Sequence, residues 1–188
     1  WLGLLGDTPP VMQSARTAMH RAALQDLRER GLIYRCFCSR SDIAAALRHT
    51  PVLHGPDGPA YPGTCRALSK NGADDEAAER AEKIPHCWRL DMAKALDLHP
   101  TLFWQEAGEG IILADSRPFG DVVLWRKDAP ASYHLAATLD EAAQGVTHVV
   151  RGRDLYAYTA VHRLLQAVFD LPEPLYWHHP LLLGEDGE

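Results

Sequence analysis

Gly145-Val146-Thr147-His148-Val149-Val150-Arg151-Gly152-Arg153-Asp154-Leu155 is the stretch that decides the fold class. Thr147 to Val150 is a short, β-branched run of the kind buried in a sheet, and a helix is predicted from Leu155 to Phe169. Upstream, a strand is expected over Tyr133 to Thr138 and a short helix over Asp140 to Gln144. Strand, helix, strand is the order of α/β architecture. In open α/β sheets small ligands bind beyond the carboxyl ends of the strands. Arg151 therefore stands where an anionic molecule would bind, and its planar fork suits a carboxylate held at both oxygens. Asp154 is expected to cap the following helix. Arg153 is either a surface charge or a phosphate contact, and on pattern alone Tyr133 reads as ordinary aromatic packing.

Toward the N-terminus, Cys36-Phe37-Cys38 is followed, after a Gly/Pro-rich loop, by Tyr61-Pro62-Gly63-Thr64-Cys65. Zn²⁺ favours thiolate sulfur in a tetrahedral shell. A C-x-C turn lets two sulfurs reach one ion while a second loop supplies the rest. The phenol of Tyr61 would ligate only if the metal made its anion accessible. The competing reading makes Cys36 and Cys38 small buried residues at a strand end and Tyr61 an aromatic before a turn. Cys87 has no partner motif and is expected to pack as a small apolar residue. One intervening residue suits disulfide geometry poorly, and no secretory segment precedes the cysteines, so a reducing compartment, the cytoplasm, is expected.

The remainder reads as short elements. An amphipathic helix is predicted over Ser14 to Arg30, capped by Ser14 and stopped at Gly31. A strand over Leu32 to Arg35 follows, then a helix capped by Ser41 and ending at Leu47. Thr50 to Gly63 is loop, and a solvated helix is predicted over Asp74 to Lys83. Cys87 to Met92, Thr101 to Glu106, Gly110 to Ala114 and Asp121 to Trp125 are runs expected in an antiparallel sheet. The chain has 188 residues, 46% apolar, enough for one core with a small subdomain. No apolar run approaches the roughly 20 residues that cross a bilayer. A net charge of −6 means that nucleic acid would be met by local clusters, around Arg126 and Lys127 and around Arg151, Arg153 and Arg163. The chain opens on Trp1-Leu2-Gly3-Leu4-Leu5 without an initiator Met and stops at Gly184-Glu185-Asp186-Gly187-Glu188 in a hairpin-like turn, as a fragment would.

Taken together, Gly31 to Arg40, Tyr61 to Arg66, Gly120 to Leu124, Ser132 to Ala136 and Gly145 to Leu155 resemble the glutamyl-tRNA synthetase family of class I aminoacyl-tRNA synthetases, from Trp1 to Leu183. The Y-P-G-T-C run resembles its short branch, the glutamyl-Q tRNA(Asp) synthetases, which lack an anticodon-binding domain. The resemblance implies a partial Rossmann-type catalytic domain with a zinc-bearing α+β insertion: a remnant of the first Rossmann half over 1–31, the insertion over 32–130 and the second half over 131–188. It implies activation of L-glutamate by ATP with Mg²⁺ and transfer to queuosine in the anticodon of tRNA(Asp), by a cytoplasmic monomer. Cys36, Cys38, Tyr61 and Cys65 match the zinc ligands, and Tyr133 and Arg151 match the glutamate-binding pair. No residue of the chain matches a catalytic role. The family's His-x-Gly-His and Lys-x-Ser-Lys elements are expected before Trp1 and after Gly187. Val161-His162-Arg163 departs from an Arg-Gln pair of many relatives, and His178 matches a histidine near the adenine pocket or serves structure. The alternatives are the catalytic part of an ordinary glutamyl-tRNA synthetase charging tRNA(Glu), and a non-catalytic, zinc-stabilised RNA-binding module.

Overall fold

The computed structural model describes residues 9–66 and 83–182, with Gly3, Gly6 and Gly184. The helix expected over 74–83 lies outside the described residues apart from Lys83, as does the terminal turn apart from Gly184. A 3-10 turn, Gln13–Arg16, leads into α1, Thr17–Glu29, then β1, Ile33–Cys36, and α2, Arg40–Leu47. A small hairpin follows, β2 being His54–Gly55 and β3 Gly58–Pro59; then come β4, Cys87–Leu90, α3, Met92–Leu98, β5, Phe103–Glu106, and β6, Gly110–Leu113. The chain continues through β7, Val123–Trp125, α4, Tyr133–Ala143, β8, His148–Gly152, α5, Thr159–Val168, and β9, Leu175–His179.

The runs expected in one antiparallel sheet divide between two. β4 lies between β1 and β7 in an antiparallel three-stranded sheet. β5 pairs antiparallel with β6 but parallel with β9, which is itself parallel to β8. The diversion is made by α3, started when the Asp91 side chain accepts the Lys94 N–H at 3.3 Å. It redirects the chain so that Trp104 of β5 packs with Val149, Ala160 and Tyr176. β5 and β6, from the 32–130 segment, thus complete the sheet that carries Arg151.

Tyr133 heads a helix rather than a strand. Ser132 is extended and its hydroxyl accepts the Leu135 N–H, while Leu135, Ala136 and Leu139 repeat at helical spacing and are all buried. Two other caps differ from expectation. Ser39, not Ser41, caps α2, in a reciprocal capping box with Asp42. At the first helix Ser14 contributes its carbonyl, which accepts from the Thr17 hydroxyl at 2.8 Å, instead of a side-chain cap. Asp154 does not cap α5, because a 3-10 turn over Arg153–Leu155 intervenes before the helix begins at Thr159.

Leu27, Leu90, Leu124, Leu135, Leu164 and Leu165 have no exposed surface and join α1, β4, β7, α4 and α5 in one core. Each such side chain contributes about 1.5–3 kcal/mol by leaving water. No helix among the described residues is long and apolar enough to cross a membrane.

Candidate functional site

Two polar centres stand out, one on each larger sheet. At the end of β1, Cys36 and Cys38 meet Cys65 so that the three sulfurs lie within 4.8 Å of one another. The Tyr61 hydroxyl sits 3.4 Å from Cys36 Sγ and 3.3 Å from Cys38 Sγ, and accepts the Cys65 N–H at 2.9 Å. Gly63 makes the second loop turn tightly enough. Its φ is +79°, and a Cβ there would meet Arg66 Nη2 at 2.7 Å. Arg66 ties the loop down through Asp121 at 3.4 Å and Asp91 at 3.6 Å, and Lys127 Nζ donates to the Phe37 and Cys38 carbonyls.

These thiols compete for protons. Cys36 is held well below the usual thiol range, chiefly because the Cys65 and Cys87 thiols donate to its anion, and those two are pushed up in consequence. Burial, with the neighbouring sulfurs, holds the Tyr61 phenol protonated. Three sulfurs and a phenol oxygen converging on one point, with the Arg89 guanidinium 4.0 Å from the Tyr61 ring centre, fit a four-coordinate thiophilic cation. Cys87 pairs with Cys36 across the β1–β4 ladder and is buried, but does not belong to the converging group.

At the carboxyl end of β8, Arg151 is 9% exposed and each nitrogen of its guanidinium is engaged. Its Nε donates to His178 Nε2 at 3.0 Å, Nη1 to His162 Nδ1 at 3.1 Å, and Nη2 to Thr159 Oγ1 at 2.6 Å. Two longer contacts reach the Tyr133 hydroxyl at 3.4 Å and the Leu155 carbonyl at 3.3 Å. Among the described residues every one of these acceptors is neutral. Burial and the Arg151 charge depress His162 far below its ordinary range, and burial depresses His178 despite Glu106 beside it. His134, joined to His162 at 3.3 Å, is likewise lowered to about 4, chiefly by burial. Tyr133, 48% exposed, forms the open side of this nest. The arrangement is a buried cation with neutral walls and an accessible phenol, suited to a carboxylate.

A cleft of about 350 Å³, bordered by Asp57, Tyr61, Arg89, Phe119, Asp121 and His134 among others, touches a residue of each centre. The chain matches, over residues 1–188, the family model described as tRNA synthetases class I (E and Q), catalytic domain. The chain belongs to that family.

Relatives agree with the assignment of this synthetase domain. It is 40% identical to a protein of Rhodobacter capsulatus and 41% identical to one of Nocardia farcinica, both named glutamyl-Q tRNA(Asp) synthetase. The matches cover 100% of this chain but 68% and 55% of those proteins, so the chain spans between half and about two thirds of their length. A glutamate tRNA ligase of Elizabethkingia meningosepticum, crystallised with its amino acid, superposes with a TM-score of 0.72 at 20% identity over 97% of this chain and 36% of its own. A glutamate-tRNA synthetase of Elizabethkingia anophelis gives 0.74 at 20% identity, over 100% of this chain and 39% of its own. At that identity the two structures speak for the fold.

The structure brings Cys36, Cys38, Tyr61 and Cys65 together, and separately Tyr133 and Arg151. Sequence reading missed Glu106, Thr159 and His134 around the arginine, and noted His162 only as a departure from an Arg-Gln pair. A signal existed for Glu106, which shares the inward side of β5 with Trp104, where an acid needs a partner. The basic clusters expected to meet nucleic acid are largely engaged within the synthetase domain. Arg153 pairs with Glu109, Arg163 with Glu173 at 2.9 Å, and Arg126 with Asp128 at 3.4 Å.

Proposed function

We propose that this chain is the glutamate-holding and zinc-bearing part of an enzyme that activates L-glutamate with ATP and Mg²⁺ and transfers the glutamyl group to queuosine in the anticodon of tRNA(Asp), acting as a monomer. Arg151 carries the reading. A buried guanidinium whose described acceptors are all neutral keeps its charge available for a carboxylate, and glutamate has two. The long contacts to Tyr133 and Leu155 are the ones a carboxylate can displace, leaving His178, His162 and Thr159 to hold the fork in place. Tyr133 then donates its phenol proton to the same ligand.

With one carboxylate fixed in this way, an oxygen of the other carboxylate attacks the α-phosphorus of ATP, forming the glutamyl adenylate as pyrophosphate leaves. A queuosine hydroxyl then attacks the acyl carbon, forming the ester and releasing AMP. Mg²⁺ supplies charge neutralisation on the phosphates. The chain's contribution is orientation of the reactant and exclusion of water from its carboxylate. Cys36, Cys38, Cys65 and Tyr61 would hold a zinc ion, which supplies a closed crosslink between the end of β1 and the loop before Arg66.

The names of the curated relatives support queuosine as acceptor. The test is transfer of labelled glutamate by the intact protein to tRNA(Asp) with and without queuosine. A base-labile product on the anticodon loop of the queuosine form alone is expected. Label at the 3′ end of tRNA(Glu), with none on queuosine-containing tRNA(Asp), would show an ordinary charging enzyme instead.

A further inference from the structure

Glu106 lies on β5, one residue removed from any contact with Arg151, yet it is 2% exposed and both its oxygens are turned to His178. Its Oε1 accepts the backbone N–H of His178 at 2.8 Å and its Oε2 lies 2.8 Å from His178 Nδ1. Trp104 Nε1 donates to the same Oε2 at 3.2 Å, which fixes the carboxylate from its own strand. On the far side of the imidazole, Nε2 faces Arg151 Nε at 3.0 Å and Thr159 Oγ1 at 3.2 Å. The guanidinium N–H can only donate. The Thr159 oxygen accepts from Arg151 Nη2 and keeps its own proton to donate to the same Nε2. Two donors converging on Nε2 require a lone pair there, and a neutral imidazole offers one only when Nδ1 carries the proton.

We propose that Glu106 is a positioning residue for glutamate recognition: by holding the His178 proton on Nδ1, it makes Nε2 the acceptor that sets Arg151 at the carboxylate site. The inference rests on the functional reading above. The logic is that of a carboxylate behind a metal-bound histidine, with a guanidinium in the metal's place. A glutamine at 106 would match Glu106 in size but would have to present its amide N–H₂ either to the His178 peptide N–H or to Nδ1. The peptide N–H, held at 2.8 Å, cannot change what it donates, whereas on the other side the ring can move its proton and the longer Trp104 contact, 3.2 Å, can open. In Glu106→Gln the proton therefore shifts to Nε2, where it confronts the Arg151 N–H and turns the fork.

The experiment uses the intact protein, with L-glutamate binding measured by calorimetry and the His178 ring nitrogens observed by ¹⁵N NMR. Wild type should show the Nδ1–H tautomer. Glu106→Gln should show the Nε2–H tautomer and bind L-glutamate about 10- to 100-fold more weakly, the range for a misplaced charged hydrogen bond. A second pair of variants covers a folding failure. His178→Gln can still offer an oxygen to Arg151 and an N–H to Glu106, so it should retain more glutamate affinity than His178→Leu. Wild-type His178 protonated on Nε2, equal losses in the two His178 variants, or unchanged glutamate binding in Glu106→Gln would each overturn the proposal. A wild-type protein that binds no L-glutamate would instead overturn the functional reading beneath it.

Discussion

Replacing Arg151 by Met separates recognition from folding. Met has nearly the length of Arg but no charge and no donor, so it fills the space while emptying the fork. On the ligand side, a carboxylate held by a buried guanidinium loses its charged partner. That typically costs about 2–5 kcal/mol, or roughly 30- to 5000-fold in affinity. On the folding side two effects oppose each other. A guanidinium at 9% exposure, with no carboxylate in contact among the described residues, carries a desolvation penalty of several kcal/mol, which Met removes. Against this, His162 Nδ1 loses its donor, at about 1–3 kcal/mol, while the Leu155 carbonyl keeps the Tyr158 N–H at 3.1 Å and His178 keeps the Thr159 hydroxyl.

These folding effects are of similar size, so Arg151→Met should unfold within about 2 kcal/mol of wild type. Urea denaturation of the intact protein measures that part. Glutamate-dependent ATP/pyrophosphate exchange measures the other, and its rate at low glutamate should collapse. An unchanged exchange rate at low glutamate removes Arg151 from the site. A large loss of stability with normal glutamate affinity would mean that the guanidinium is there to hold the sheet and helix together.

Elemental analysis of the purified protein should find one zinc per chain, and Cys65→Ser should lose it and unfold at a lower temperature; a metal-free protein of full stability would sink the zinc assignment. Cys87→Ala should leave the zinc content unchanged, whereas Tyr61→Phe should release the ion faster to a chelator; the opposite order would make sulfur rather than phenol the fourth ligand. For His134, the folded pKa of about 4 lies below the ordinary 6.5, so the unfolded chain binds more protons between those values and stability is full above pH 6.5 and falls toward pH 4. One such histidine accounts for at most about 3 kcal/mol, and His134→Gln should flatten the acid limb of a melting-temperature profile; an unaltered limb would assign the loss to other groups.

Legibility followed how local each signal was. Arg151 could be found because a β-branched run delivering a charge to a strand end is a pattern within one segment, and the sulfur centre because C-x-C and Y-P-G-T-C are short motifs. Tyr133 to Thr138 was harder. Its apolar residues satisfy a strand for a few positions, and only the cap at Ser132 with Leu139 one turn beyond Leu135 settles the helix. The division of the strands between two sheets was beyond local reading. β5 is chosen by β9, some seventy positions later in the chain, and nothing in Phe103-Trp104-Gln105-Glu106 announces a parallel neighbour. Glu106 and His178 meet across that same pairing, and so the wiring behind Arg151 was hidden with it.

The two centres are mechanically joined through that architecture. Cys36 and Cys87 face each other across β1 and β4, and β4 in turn pairs with β7. From β7 the chain passes within a few residues to Ser132, whose N–H donates back to the Leu124 carbonyl at 2.8 Å and whose hydroxyl caps α4. Tyr133 is the next residue. The sheet that carries the sulfurs therefore fixes where the phenol beside Arg151 begins its helix, while the other sheet, through β8 and β9, fixes the guanidinium. Tyr133 heads α4, whose Leu135 and Leu139 share the leucine core with α5, whereas the sheet that carries Arg151 packs on α5 through Ala160, so that α5 is the element common to both. A crosslink at the end of β1 would act on the proposed glutamate pocket through Tyr133 and not through Arg151. Loss of the ion should accordingly weaken the phenol contact first and leave the His178, His162 and Thr159 grip on the arginine in place.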